Sequence, residues 1–246
     1  MEWDSKLYNS SQGFVAEYGK GLLEFVPDKI DNILDVGCGT GILTSQLARR
    51  CKYVLGVDSS DTMVQEAKKN YPDVDFAVMD ALELSYDGEW DLIFSNAVFH
   101  WIHDHGRLLQ NIYKALKPGG KLVCEFGGYG NIAIIEEGFC TALQEIGRDY
   151  TSKFHFPKVE DFGFLLKEKG FFIEEIYGYD RPTPLKDGDQ GLCDWVLQFY
   201  QSELAGLSEE QKRHVLTTMK EEVRDRLWDG TCWIADYKRL RAIAVK

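Results

Sequence analysis

A glycine-rich turn with an acidic residue at its start carries the clearest chemistry in this chain. It reads Asp35-Val-Gly-Cys-Gly-Thr-Gly41 and lies between a short apolar run and a segment with helical periodicity, which predicts a strand, a turn and a helix. Glycines let the backbone turn sharply and let a ligand lie against the main chain. The Asp35 carboxylate suits a ligand with positive charge, such as an ammonium or a sulfonium, and sits poorly beside a dinucleotide pyrophosphate.

A second acidic residue follows the next strand pattern. The apolar run at 53–57 ends in Asp58, 19 residues after Gly39. In doubly wound folds an acidic side chain at the tip of the second strand binds a ribose diol. NAD-binding turns usually read G-x-G-x-x-G/A, whereas the glycines here are Gly37, Gly39 and Gly41. The spacing therefore predicts a ribose and disfavours a pyrophosphate, and with it an NAD(P)-dependent enzyme.

Strand and helix patterns alternate along the first half of the chain. This alternation predicts an α/β fold, a doubly wound and mostly parallel sheet with helices on both faces. The strands lie near 32–36, 53–57, 74–79, 90–95 and 121–126, with helices near 41–50, 60–70 and 104–117 between them. Farther along, the patterns predict helices at 131–148, 158–169, 190–204 and 208–227, and strands at 171–179 and 233–245.

Five motifs, in this order and spacing, resemble class I S-adenosylmethionine (SAM)-dependent methyltransferases. Such a set of motifs is far more specific than a single glycine pattern. They are Asp35-Val-Gly-Cys-Gly-Thr-Gly41, Asp58-Ser-Ser60, Met79-Asp80-Ala81, Trp90-Asp-Leu-Ile-Phe-Ser-Asn-Ala97 and Leu116-Lys-Pro-Gly-Gly120. Within that superfamily the chain resembles the trans-aconitate methyltransferase group, on Phe94-Ser-Asn-Ala-Val-Phe-His-Trp101, the Trp3…Tyr8 segment and Asp236-Tyr-Lys-Arg-Leu-Arg241.

The resemblance implies a fold, a domain organisation and a cofactor. The expected sheet is seven-stranded and Rossmann-like, with the last strand antiparallel between its neighbours and a helical lid. Within one domain, residues 1–30 are expected to cap the cofactor site and 31–130 to bind SAM. Residues 131–246 are expected to supply the lid and the last two strands. The cofactor is SAM, and the product formed from it is S-adenosylhomocysteine.

Cofactor-binding residues are assigned from the glycine turn, the ribose position and the resemblance. Asp80 and Ala81 are expected to contact adenine, whereas Asn96 and Ala97 should lie under the methionine part. Cys38 is expected to be a small filler of the turn. The N-terminal segment is expected either to close over the cofactor or to pack on the lid. The full set is Tyr8, Gln12, Asp35, Gly37, Cys38, Gly39, Gly41, Asp58, Ser59, Asp80, Ala81, Asn96 and Ala97.

His100 is the residue of the segment after the fourth strand that could act as a general base, and a hydrogen-bonded histidine is the equal alternative. The neighbouring His103 and His105 suggest a metal site. Their spacing does not suit metal ligands, however, so the sequence predicts no metal. Aromatic and basic residues are expected to hold an organic acid. These substrate-binding candidates are Trp101, Arg181, Trp195, Trp233, Tyr237 and Arg239.

The charge and composition of the chain limit the kinds of molecule that we expect it to bind. The formal net charge of −12 argues against a nucleic-acid partner. No apolar stretch is long enough to span a membrane, and the start lacks the features of a signal peptide, so we expect a cytoplasmic protein with reduced cysteines. The sequence leaves the oligomeric state open.

These observations predict an enzyme that methylates a small organic molecule, most simply at the oxygen of a carboxylate. One alternative is an O-, N- or C-methyltransferase for another small acceptor, with His100 as the base. Another is a SAM-binding module without catalytic activity.

Overall fold

The computed structural model describes residues 19–246, so Tyr8, Gln12 and most of the predicted N-terminal segment 1–30 lie outside the described residues. The strands are β1 (Ile30–Val36), β2 (Cys51–Asp58), β3 (Asp75–Val78), β4 (Trp90–Asn96), β5 (Leu116–Gly127), β6 (Phe172–Asp180), β7 (Thr183–Pro184), β8 (Ile234–Ala235) and β9 (Lys238–Val245).

The helices lie between these strands, and none of the described ones has the length and apolar character that a membrane crossing requires. The α-helices are α1 (Ile42–Leu47), α2 (Asp61–Asn70), α3 (His105–Ala115), α4 (Ala133–Glu145), α5 (Val159–Glu168), α6 (Gly191–Phe199), α7 (Gln201–Leu204) and α8 (Glu209–Leu227). Short 3-10 helices cover Lys20–Phe25, Ala81–Glu83, Phe99–Trp101 and Gly188–Gln190.

The main sheet has seven strands in the order β3-β2-β1-β4-β5-β9-β6. Strands β1 to β5 pair in parallel. Strand β9 runs antiparallel to β5, because Gly119 N–H bonds the Lys246 carbonyl and Lys246 N–H bonds the Gly120 carbonyl, both at 3.0 Å. The predicted doubly wound sheet with an antiparallel last strand is confirmed. The parallel strands all end at one edge, called here the carboxyl edge.

The predicted single strand at 233–245 is wrong in detail. The structure divides it into β8 and β9, and β8 pairs with β7 in a separate two-stranded antiparallel sheet. The break falls at Asp236 and Tyr237, where the Tyr237 N–H turns back to the Ala235 carbonyl at 2.9 Å. The Asp236 carboxylate accepts the Ile134 N–H at 2.7 Å, near the start of α4. This long-range bond has no signature in the local sequence.

The chain forms two compact units. The sheet unit comprises residues up to Tyr129 together with Phe154–Gly178 and Leu240–Lys246, and the helical unit comprises Gly130–Lys153 and Tyr179–Arg239. Residues 154–178, part of the segment expected to supply the lid and last strands, therefore group with the sheet.

Apolar residues on both faces of the parallel strands account for the helices on each side of the sheet. Ile33 and Leu34 are neighbours on β1, and both are fully buried. Because adjacent strand residues point to opposite faces, Ile33 joins the cluster that contains Leu47 of α1, whereas Leu34 joins the cluster that contains Leu108 of α3. Each such side chain contributes about 1.5–3 kcal/mol on burial.

Side-chain caps begin the two helices that follow β2 and the Phe99–Trp101 turn. Ser60 accepts the Met63 N–H at 3.4 Å at the start of α2. Asp104 accepts the Arg107 N–H at 2.8 Å at the start of α3. Because Ser60 caps α2, the Asp58 side chain is not needed for that role.

We expect Gly37→Ala to destabilise the fold much more than Gly39→Ala. Both glycines have positive φ, but a Cβ at position 37 would lie 2.1 Å from Val98 Cγ2, whereas a Cβ at position 39 has nothing within 4 Å. Backbone strain costs about 1–2 kcal/mol at each site, and overpacking adds about 1–3 kcal/mol at position 37. Urea denaturation should show this difference and a partial recovery in Gly37→Ala/Val98→Ala. Equal losses for the two glycine variants would contradict the steric account.

Candidate active site

The glycine turn is held open by left-handed backbone conformations. Gly37, Gly39 and Gly41 have φ angles of 78°, 53° and 84°, which side chains of L-residues rarely adopt. The N–H groups of Gly37 and Cys38 both donate to the Val57 carbonyl, at 2.7 and 3.0 Å. These bonds attach the turn to the end of β2 and bring Asp35 and Asp58 to the same part of the carboxyl edge.

Asp35 is a buried carboxylate at the end of β1. Its side chain is 2% exposed, and its Oδ2 accepts the Thr44 hydroxyl at 2.6 Å. Burial raises the pKa of Asp35 to about 7; the Thr44 hydrogen bond opposes the rise, and the charge of Asp58 adds to it. A positively charged group at this site would favour the ionised carboxylate.

Asp58 uses both carboxylate oxygens to order the turn. Oδ2 accepts the Gly39 N–H at 3.0 Å, and Oδ1 accepts the Ser60 N–H at 2.9 Å. Burial raises the pKa of Asp58, and the two backbone hydrogen bonds oppose that rise. Each carboxylate oxygen has a second lone pair, so two ribose hydroxyls can still be accepted. Ser59, the next residue, is exposed to solvent.

Asp80 and Ala81 follow β3 next to Asp58. The Met79 N–H donates to the Asp58 carbonyl at 2.9 Å, which aligns the ends of β2 and β3. Asp80 is exposed, and its Oδ1 caps the Ala81–Glu83 turn by accepting the Leu82 N–H at 2.8 Å. Ala81 is buried. This hydrogen bond fixes the orientation of the Asp80 carboxylate at the carboxyl edge.

Ala97, which follows Asn96 at the end of β4, has a strained backbone. Its φ is 61°, and its N–H donates to the Glu125 carbonyl at 2.7 Å. A non-glycine residue in this region costs of order 1–3 kcal/mol, and such strain is found at ligand sites. A Cβ added to Gly19 would lie 3.0 Å from Asn96 Nδ2, so the backbone of Gly19 passes closely over the Asn96 side chain.

Cys38 packs inside the turn as a small filler. Its side chain is buried, and a Cβ added to Gly56 would lie 3.0 Å from its Cβ. Burial, with the charges of Asp35 and Asp58, raises the pKa of the Cys38 thiol far above its usual range. The thiol is therefore a poor nucleophile.

His100 lies in the Phe99–Trp101 turn directly after β4. It is 9% exposed, and its Nδ1 is 3.2 Å from the Gly127 backbone nitrogen, whose N–H donates to it. Three aromatic rings surround the imidazole, with centroids 5.6–5.9 Å away, those of Trp101, Phe154 and Phe156. His100 is thus a hydrogen-bonded histidine among aromatic residues at the carboxyl edge.

The other histidines near His100 do not converge on one point. The His105 ring is 2% exposed, its Nε2 lies 2.9 Å from the Phe99 carbonyl oxygen, and it packs 4.7 Å from the His155 ring. Burial lowers the pKa of His105 to about 4. Among residues 19–246, no group of three or more His, Cys, Asp or Glu side chains has a geometry that could hold a metal ion.

Four of the predicted substrate-binding residues lie together in the helical unit. Trp195 Nε1 donates to the Tyr237 hydroxyl at 2.6 Å, and the Arg239 guanidinium lies 4.5 Å from the centre of the Tyr237 ring. Arg239 also donates to the Asn131 amide oxygen at 2.9 Å. The Arg181 N–H donates to the Tyr237 carbonyl at 2.7 Å. Tyr237 is therefore the centre of this group.

Trp233 is packed inside the helical unit. It is fully buried, its Nε1 donates to the Asp189 carbonyl at 2.9 Å, and its ring packs 5.1 Å from Trp228. Its assignment to the substrate site stays a prediction. A tryptophan in an aromatic-rich sequence does not reveal whether its face is covered.

Some residues that contact the site could not be identified from the sequence. Thr44 and Gly127 contact Asp35 and His100, but neither has a recognisable motif. Phe154 and Phe156 belong to the aromatic-rich second half, where the sequence alone does not single them out. Arg241 forms a buried ion pair with Glu125, with Nε 2.7 Å from Oε2, which fixes β9 against β5.

The residues at the carboxyl edge of the sheet unit fit a SAM-type cofactor. The glycine backbone lets a ligand approach closely, Asp35 is a buried acid that accepts the Thr44 hydroxyl, and Asp58 can accept from a diol. In doubly wound sheets, ligands bind outside the carboxyl ends of the strands.

Comparison with known proteins agrees with this geometry. A methyltransferase domain model matches residues 34–124. The chain is 26% identical to an uncharacterized methyltransferase of Schizosaccharomyces pombe over 99% of this chain and 98% of the relative. It is 36% identical to a trans-aconitate 2-methyltransferase of Deinococcus radiodurans, over 51% of this chain and 49% of the relative, so this match spans about half of that relative's length.

A solved structure shares the fold. Phosphoethanolamine N-methyltransferase 2 of Haemonchus contortus, in complex with S-adenosylhomocysteine, superposes with a TM-score of 0.62 at 22% identity, over 98% of this chain and 57% of that chain. Residues 34–124 match a methyltransferase domain, and with the matching relatives and the seven-stranded sheet the chain resembles class I SAM-dependent methyltransferases, among them the trans-aconitate methyltransferase group.

Proposed function

We propose that the protein transfers the methyl group of SAM to a carboxylate oxygen of a small organic acid. The observation that carries the acceptor class is the Arg239 guanidinium, a buried cation that the Asn131 amide and the Tyr237 ring hold in place. The likeness to a relative named for trans-aconitate, a tricarboxylic acid, supports the same acceptor class.

In this proposal the cofactor is bound by the ends of β1 to β4. Asp35 faces its positively charged part, and Asp58 accepts from its ribose hydroxyls, with Ser59 beside it. The remaining contacts come from the glycine turn, the end of β3 and the end of β4. Asp80 and Ala81 contact the adenine, and Asn96 and Ala97 contact the methionine part. The turn contributes Gly37, Cys38, Gly39 and Gly41.

The acceptor chemistry makes few demands on the protein. When bound, SAM supplies a methyl group that its sulfonium already activates. A carboxylic acid with a pKa near 4 is ionised at pH 7, so its oxygen can accept the methyl group without a base. The protein must orient the acceptor and exclude water, and orientation alone accounts for about 7–11 kcal/mol of barrier in well-aligned reactions.

Arg239 is proposed to hold the acceptor. It is the second residue of β9 and is buried within the helical unit. The Tyr237 ring and the Asn131 amide fix the guanidinium plane, which suits two-point binding of a carboxylate. Arg181, Trp195 and Tyr237 complete the proposed acceptor-binding group of the helical unit. Trp101 is a separate proposed acceptor contact in the sheet unit.

Replacing Asp35 by Asn should stabilise the protein without cofactor at pH 8 and weaken SAM binding. The folded pKa of Asp35, about 7, exceeds the unfolded value of 3.8, so its stabilising effect is complete below pH 3.8 and is lost as the pH rises through 7. The difference in unfolding free energy between Asp35→Asn and the wild type should therefore grow by roughly 3–5 kcal/mol between pH 4 and pH 8.

Thermal and urea melts at both pH values measure this difference. Asp73→Asn, which changes an exposed carboxylate in the same unit, is the matched control and should show little pH-dependent gain. A gain for Asp35→Asn that is equal at pH 4 and pH 8 would refute the assignment of a buried, high-pKa carboxylate.

Asp58→Ala should weaken SAM binding at least tenfold. It removes the acceptor for two ribose hydroxyls, and hydrogen bonds to a charged acceptor contribute about 1.5–3 kcal/mol. Calorimetric titration measures the change, and Asp61→Ala, which removes an exposed acid three residues later, is the control. Undiminished SAM binding by a folded Asp58→Ala variant would remove Asp58 from the site.

Arg239→Ala should lower kcat/KM for the acid about ten- to a hundredfold through loss of a charge-assisted hydrogen bond. A turnover screen of small acids with SAM identifies the acceptor, and the variant is then assayed with it. Lys238→Ala is the matched control, because Lys238 is the neighbouring cation, is exposed and pairs with Asp180 at 3.5 Å. Turnover of phenols or amines but of no acid would overturn the acceptor class.

A further inference from the structure

We infer that Thr44 is a positioning residue of the cofactor site, whose hydroxyl orients the Asp35 carboxylate and stabilises the charged form that meets SAM. This inference rests on the proposed role of Asp35 toward the positively charged part of the cofactor. It does not depend on the acceptor, and both residues belong to the sheet unit.

The hydroxyl of Thr44 bonds a side chain on another element. Its Oγ1 lies 2.6 Å from Asp35 Oδ2, and the two residues are nine positions apart in the chain, on α1 and β1. An ionised carboxylate can only accept, so the threonine hydroxyl is the donor of this bond. The distance lies within the range of hydrogen bonds from a hydroxyl to a charged carboxylate, about 2.5–2.7 Å.

The neighbouring serine shows the ordinary behaviour of a hydroxyl in this helix. Ser45 Oγ donates to the carbonyl of Ile42, three residues earlier, at 2.8 Å. Hydroxyl side chains inside helices commonly bond a preceding backbone carbonyl in this way. A threonine hydroxyl has one hydrogen to donate, and that of Thr44 goes to β1. Two adjacent hydroxyls of one helix therefore have different partners, one local and one in the proposed cofactor site.

Burial gives this hydrogen bond its importance. Thr44 is fully buried and Asp35 nearly so. A buried carboxylate tends to take up a proton, and a hydrogen bond to the charged form opposes that tendency. Burial raises the pKa of Asp35 to about 7, and the Thr44 hydroxyl limits the rise. Loss of the hydroxyl should therefore keep Asp35 protonated to higher pH.

The other titratable groups that interact with Asp35, among residues 19–246, come from the turn and from β2. The charge of Asp58 raises the pKa of Asp35 further. The Cys38 thiol has a pKa raised far above its usual range, so it stays neutral between pH 6 and pH 9. Asp58 keeps its own backbone donors, the N–H groups of Gly39 and Ser60, when only residue 44 is changed.

The effect of Thr44 on the cofactor should pass through the charge of Asp35. A positively charged ligand selects the protein molecules in which this carboxylate is ionised, so its apparent affinity falls with the ionised fraction. A donor that favours the ionised form raises this fraction at neutral and acidic pH. It has little effect at a pH where the carboxylate is ionised with or without the donor.

Thr44→Val removes the hydroxyl and keeps the shape of the side chain. We expect this variant to bind SAM about tenfold more weakly than the wild type at pH 6, and within about twofold of it at pH 9. Thr44→Ser restores the hydroxyl and should stay within about threefold at both pH values. Calorimetric titration measures these ratios, and comparison at the same pH removes any effect of pH on SAM itself.

Ser45→Ala is the matched control, because it removes the adjacent hydroxyl with its local bond. It should bind SAM within about twofold of the wild type at pH 6 and pH 9. Thr44→Ala, which places no methyl group against the carboxylate, guards against a packing fault in Thr44→Val. It should show the same dependence on pH.

A double substitution separates this role from packing. Asp35→Asn leaves no charge to stabilise, so adding Thr44→Val to it should change SAM affinity less than about threefold at either pH. A purely structural Thr44 would lower the affinity by the same factor at both pH values and in both backgrounds.

Carbon-13 NMR of the aspartate carboxyl groups, without cofactor, measures the titration of Asp35 directly. We expect it to move to higher pH in Thr44→Val and to stay in place in Ser45→Ala. An unmoved Asp35 titration, or a loss of SAM affinity that is equal at pH 6 and pH 9, would overturn the inference and leave Asp35 in the site. Undiminished SAM binding by a folded Asp35→Asn variant would instead overturn the proposed cofactor role of Asp35.

Discussion

The burial of a carboxylate at the end of the first strand is the constraint on which the site depends. Asp35 is almost completely covered, has one hydroxyl donor in Thr44 and stands near a second acid, Asp58. Burying an acid in this way costs stability unless a cation compensates for it. The buried acid lies where the glycine turn opens the backbone to a ligand, and in our proposal the positive charge of the cofactor compensates for this cost.

The neighbouring elements transmit this constraint through backbone contacts. Gly37 and Cys38 bind the end of β2, Gly39 binds Asp58, and the loop after β4 covers Gly37 so closely that a methyl group there would collide with Val98. The same loop continues through the strained Ala97 to His100, which Gly127 fixes. The proposed cofactor residues and His100 are thus positioned by one continuous edge of parallel strands.

The local sequence pattern predicts much of the fold. It does not predict features that depend on hydrogen bonds between residues far apart in the chain. The apolar strand patterns, the spacing of Gly37, Gly39 and Gly41 and the acid at position 58 predict the parallel sheet. The break at Asp236 depends on an amide 102 residues away, and the hydrogen bond at Nδ1 of His100 comes from an amide 27 residues away. The contact between the rings of Trp228 and Trp233 is likewise not evident from the sequence.

Calorimetric titration of the purified protein with SAM at pH 6 and pH 8, with NADH as the comparison, tests the central claim most directly. The account predicts micromolar SAM binding, about −7 to −9 kcal/mol, and no binding of NADH. Because Asp35 has a pKa of about 7 and must ionise to pair with the cofactor, affinity for SAM should be roughly tenfold higher at pH 8 than at pH 6. Binding of NADH without SAM, or SAM affinity that is higher at pH 6, would contradict it.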